Sequence, residues 1–159
     1  MSNLPFFLRR VASPDGPRPP MFVLLCVLSF IGSGLSAFLY FVMAVNFDFV
    51  VGQFESGEIV MPQLELFLTG GMSFFLLESI LNALAFVGVR LMWQRKLVGF
   101  HLYTAAQVFL TLVPVAFLEG RPFMIADTFL SGAFVLLYYM QLRRFGLFNS
   151  QSGSSDINS

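Results

Sequence analysis

The chain has 159 residues, nine basic and nine acidic, of which 57% are hydrophobic and only 11% charged, with 21 phenylalanines. An ordinary soluble domain carries roughly 25% charged residues, and a soluble core of this length cannot hide so much apolar surface, whereas lipid removes the need to hide it. The balance excludes a soluble globular fold and a nucleic-acid-binding surface, and leaves a single-domain integral membrane protein embedded in a lipid bilayer.

Residues 1–20 read as a cytoplasmic tail. Its leading stretch LPFFLRRV has two readings, a segment lying along the membrane surface with its arginines near anionic lipid, or a disordered tail. The linker SPDGPRPP holds four prolines and a glycine, cannot continue a helix, and ends where a proline in a first helical turn is tolerated. A cleaved signal is not expected, because the following apolar run is too long and its small residues IGSGLSA lead into more apolar chain.

Four apolar runs, over residues 21–45, 64–89, 97–118 and 124–142, are long enough to cross a hydrocarbon core of about 30 Å, which takes about 20 helical residues. They are continuous rather than alternating, so barrel strands are excluded and the expected fold is all-α, a four-helix transmembrane bundle over 21–144. The loop 47–63 between the first two runs has room for its own structure, and its apolar residues can extend the first helix or lie on the membrane surface. LEGRPF between the third and fourth runs reads as a tight turn joining antiparallel neighbours. The tail 145–159 is polar and low in complexity, and is expected to be disordered.

Arg9, Arg10 and Arg18 precede the first run, Arg90, Arg95 and Lys96 separate the second from the third, and Arg143 and Arg144 follow the fourth; only Arg121 falls on the opposite side. Basic residues mark the cytoplasmic side, so both termini are expected there, in a bacterial inner membrane. Trp93, Tyr138 and Tyr139 suit interfacial anchoring at that face.

The run FFLLESILNALAF places Glu78 and Asn82 inside the second span. At about 1.5 Å per residue, Glu78 lies about 18 Å above Arg90 and Gln107 about 16 Å above Lys96, both near mid-depth. One turn lower, Asn82 and Thr104 match in the same way. These four residues form the expected polar site. On the first helix Ser29, Gly32, Ser33 and Ser36 are small enough to let helices approach closely and are expected to pack. With no basic residue at its depth, Glu78 is expected to be protonated and to face protein. It then serves either as interhelical glue or as a proton or cation site, since an intramembrane carboxyl marks a pathway by default.

Other chemistry has little to stand on. Cys26 is the lone cysteine and His101 the lone histidine, so no disulfide, haem or metal set is expected, and no serine has a visible triad partner. No cofactor and no enzymatic activity is expected. His101 is most simply a hydrogen-bonding interface residue, with a proton relay toward Glu78 as the sharper reading. The leading functional expectation is a non-enzymatic accessory or scaffold protein that binds other membrane subunits or itself. The alternative is a proton-coupled small-molecule transporter or ion conduit using Glu78.

Overall fold

The computed structural model describes residues 18–58, 61–118 and 125–144. The LPFFLRRV segment with Arg9 and Arg10, the LEGRPF turn beyond Leu118 with Arg121, and the polar C-terminal tail lie outside the described residues. Among those described, every element is helical: α1 Pro20–Val45, α2 Phe47–Glu55, α3 Pro62–Thr69, α4 Gly71–Trp93, α5 Leu97–Phe117 and α6 Ile125–Arg144. Of these, α1, α4 and α5 are long and apolar enough to cross a membrane. A 20-residue helix such as α6 reaches about 30 Å.

One expectation about helix ends is corrected. The run 64–89 is not one helix, because Gly71 adopts φ +68° and ends α3 before α4 begins. An L side chain rarely takes that conformation, so the Gly70–Gly71 pair makes the break cheap. The loop 47–63 contains α2, closed at Gly57 with φ +77°. Phe47 of α2 packs on Phe75 of α4, ring centroids 5.9 Å apart, so this helix is tied to the bundle.

The α4–α5 hairpin is the tightest unit. Its turn is a Schellman closure: Lys96 N–H donates to Leu91 O at 2.9 Å and Arg95 N–H to Met92 O at 2.8 Å, with Arg95 at φ +61°. Just inside it, Gly88 and Gly99 bring the two backbones into direct contact. A Cβ on Gly99 would lie 2.5 Å from Gly88 O and 2.6 Å from Met92 N, and one on Gly88 would lie 2.8 Å from Tyr103 N. Where lipid removes the hydrophobic drive for helices to associate, such close approach is what holds them together.

Helix α1 lies against α4. Ser79 Oγ donates to Ala37 O at 2.9 Å, and Phe30 meets Phe86 edge-on at 4.9 Å. Below mid-depth, Phe22, Cys26, Val89, Met92, Tyr103, Tyr138 and Leu142 form one buried cluster. Above it, Ala44, Phe74, Phe75, Leu81, Val113 and Leu118 form another. At the basic end, the Arg18 guanidinium stacks 4.5 Å over Trp93 and donates to Trp93 O at 3.3 Å, holding the start of α1 to the end of α4.

The glycine contact carries a direct prediction. Gly88→Val and Gly99→Val should each destabilise the protein in detergent by about 2 kcal/mol or more, because backbone rather than a flexible side chain must move. Gly32→Ala, whose Cβ would meet nothing within 4 Å, should leave the thermal midpoint unchanged or slightly raised. Equal loss in all three would contradict the contact.

Candidate functional site

Between the two apolar clusters, α4 turns Glu78 and Asn82 inward. Phe74, Phe75, Leu81 and Ala85 share their face and are buried, whereas Met72, Ile80 and Val87 on the opposite face are exposed. Glu78 retains only 3% of its surface and Asn82 8%. Asn82 Nδ2 donates to the Glu78 backbone O at 2.9 Å, a bond within the helix.

Glu78 and Asn82 line a cavity of about 360 Å³. From α1 come Ser29, Gly32, Ser33, Ser36 and Tyr40; α5 contributes Tyr103 and Gln107, and α6 contributes Ser131 and Phe134. The small residues of α1 therefore border this cavity. Leu28 of α1 and Leu130 of α6 also line it and are 48% and 61% exposed, so its mouth lies between these two helices. Below the cavity α1 and α6 are joined by Tyr138 Oη donating to Ser29 Oγ at 3.0 Å, and within α1 Ser33 Oγ donates to Ser29 O at 2.6 Å. Tyr103 meets Tyr138 edge-on at 5.1 Å, completing an aromatic floor. A second cavity of about 300 Å³, toward α3, shares Ser36 and Tyr40 with the first.

Thr104 is not part of the Glu78 cavity. It lines a separate space of about 360 Å³ between α5 and α6, with Thr111, Thr128 and Gly132, and only Gln107 and Ser131 border both. The depth count paired Asn82 with Thr104, but the two residues line different cavities. His101 is exposed, with its ring 5.9 Å from that of Phe100, and borders neither cavity. Among the described residues, no three His, Cys, Asp or Glu side chains group as a metal site.

The tyrosines are what the sequence reading missed. Tyr138 was expected at the membrane interface but is fully buried. Its spacing from Ser131 and Phe134, seven and four residues on, put it on their face of α6. Tyr103 stands four residues before Gln107 and Tyr40 four after Ser36, the same signal.

Comparison of the chain with models of known families, with curated proteins and with solved structures finds no match to any of them. The site therefore has to be read from its own chemistry.

Two hydroxyls provide a check on the geometry. Thr104 Oγ1 is buried without a hydrogen-bond partner, so Thr104→Val should leave thermal stability unchanged or raise it by up to about 1 kcal/mol. Tyr138→Phe removes the bond to Ser29 and should cost about 0.5–1 kcal/mol. The reverse ranking in detergent melts would refute this placement.

Proposed function

We propose that the protein is a small multi-pass membrane protein that holds a guest at mid-depth and exchanges it against the proton of Glu78, the elementary step of a proton-coupled transporter. One observation carries this reading: Glu78, buried in the bundle, lines a cavity. Glue needs no cavity, since two side chains in contact satisfy each other. A buried carboxyl beside about 360 Å³ of space, with amide and hydroxyl groups converging on it, has the form of a binding pocket, at the small end of the range of about 300–1,000 Å³.

The reading orders the two expectations opposite to the sequence alone. An accessory protein remains the second, favoured by the mouth between α1 and α6, which can admit a side chain from a partner subunit's helix or from another copy of this chain. On either reading α6 is taken as a fourth span, with both termini cytoplasmic and the membrane a bacterial inner membrane. The basic residues Arg18, Arg90, Arg95, Lys96 and Arg143, gathered at one end of the helices, support that orientation.

Water access separates a reachable pocket from a sealed scaffold. In a Cys26→Ser background, Ser36→Cys should react with a water-soluble thiosulfonate, because the thiolate that reacts forms only where water reaches it. Leu35→Cys, on the lipid side at 56% exposure, should stay inert. If Ser36→Cys is as unreactive as Leu35→Cys, water does not reach the pocket, Glu78 has nowhere to pass its proton, and the transport reading fails.

A further inference from the structure

The Glu78 cavity has a definite chemical sign. Among the residues that line it, Glu78 is the one acid, and there is no lysine, arginine or histidine. The titratable groups facing it are the phenols Tyr40 of α1 and Tyr103 of α5, with Tyr138 of α6 in the floor; phenols stay neutral near pH 7. An anion would find no counter-charge here. A positively charged group would find a carboxyl, the amides of Asn82 and Gln107, and the ring faces of Tyr40, Tyr103 and Phe134.

Size and surroundings narrow the cation further. Ca2+ and Mg2+ take six or more oxygens in a compact shell, usually with more than one carboxylate or several waters, whereas this cavity of about 360 Å³ offers a single carboxyl. The mouth is bordered by the exposed leucines Leu28 and Leu130, which on the four-span reading lie against the apolar part of the bilayer. A guest using that mouth has to carry an apolar body along with its charge.

We propose that the Glu78 cavity binds a small organic ammonium with an apolar body, admitted from the bilayer between α1 and α6. This rests on the exchange reading above and names its guest. On binding, the carboxyl O–H of Glu78 releases its proton to water and the carboxylate pairs with the ammonium, so one proton leaves for each cation held. Affinity therefore rises with pH, about tenfold per unit while Glu78 is protonated in the empty site.

The test is equilibrium binding of radiolabelled benzyltrimethylammonium to the full chain in nanodiscs, with empty nanodiscs as background. Saturable binding is expected, tighter at higher pH. It should weaken by about tenfold or more in Glu78→Gln, which removes the charge partner. Gly32→Phe, at the mouth where a Cβ meets nothing within 4 Å, should block it as well while leaving Glu78 in place, and it decides the question if Glu78→Gln does not fold. Benzenesulfonate and the uncharged isostere neopentylbenzene should not compete. Equal binding by Glu78→Gln, or competition by neopentylbenzene, would overturn the proposal in favour of an apolar guest such as a lipid chain. If no cation binds while Ser36→Cys is labelled from water, the guest is wrong and the pocket stands; if Ser36→Cys is also inert, both readings fall.

Discussion

The contact of Gly88 with Gly99 fixes everything above it. Two glycines on neighbouring helices let the α4 and α5 backbones touch at the base of the hairpin, and from that point the helices rise together. Ten residues up α4 stands Glu78, and eight residues up α5 stands Gln107, at heights of about 15 and 12 Å. A bulkier pair at the base would widen the hairpin, and the two polar residues would no longer close on one space. The Schellman turn at Arg95 and Lys96 supports the same register from below.

On that hairpin the remaining helices arrange an inhomogeneous interior. Apolar and aromatic side chains fill the space near both ends, while the middle is lined by hydroxyls, amides and one carboxyl. The arrangement is uneven around the bundle as well. α1 is bonded to α4 through Ser79, whereas α6 is fastened to α1 low down, through Tyr138 and Ser29. Above that bond both helices line the cavity. A polar layer in a membrane protein is costly unless its groups are satisfied or used, and this layer combines the hydroxyls of Ser33 and Thr111, bonded back to helix carbonyls, with a carboxyl that lines a cavity.

Much of this was legible in the sequence because a bilayer imposes few solutions. Continuous apolar runs mean helices, and their lengths and basic flanks placed α1, α5 and α6 within a residue or two of where they lie. Residue counting led to Glu78 and Gln107, which line one cavity, and helical spacing put Glu78 on the buried face of α4. Counting along a helix does not give the rotation of one helix about another. That is why Thr104 was assigned to the wrong side of α5 and why Tyr138 was read as an interfacial residue. The Gly70–Gly71 break was hidden for a different reason: hydropathy is blind to backbone angles, and two glycines in an apolar run read equally well as a packing surface. The cavity itself could not be foreseen, since it is a property of what four helices fail to fill.

The central claim is that Glu78 sits in a space that solvent or a guest can reach. Infrared difference spectroscopy of the protein in nanodiscs tests it most directly, by assigning the Glu78 carboxyl stretch against Glu78→Gln and following it on transfer to D2O and across pH. The account predicts a band that shifts in D2O within the time of the exchange and gives way to carboxylate as the pH is raised. A band that neither exchanges nor titrates would mean a dry, sealed contact, with Glu78 acting only to hold helices together.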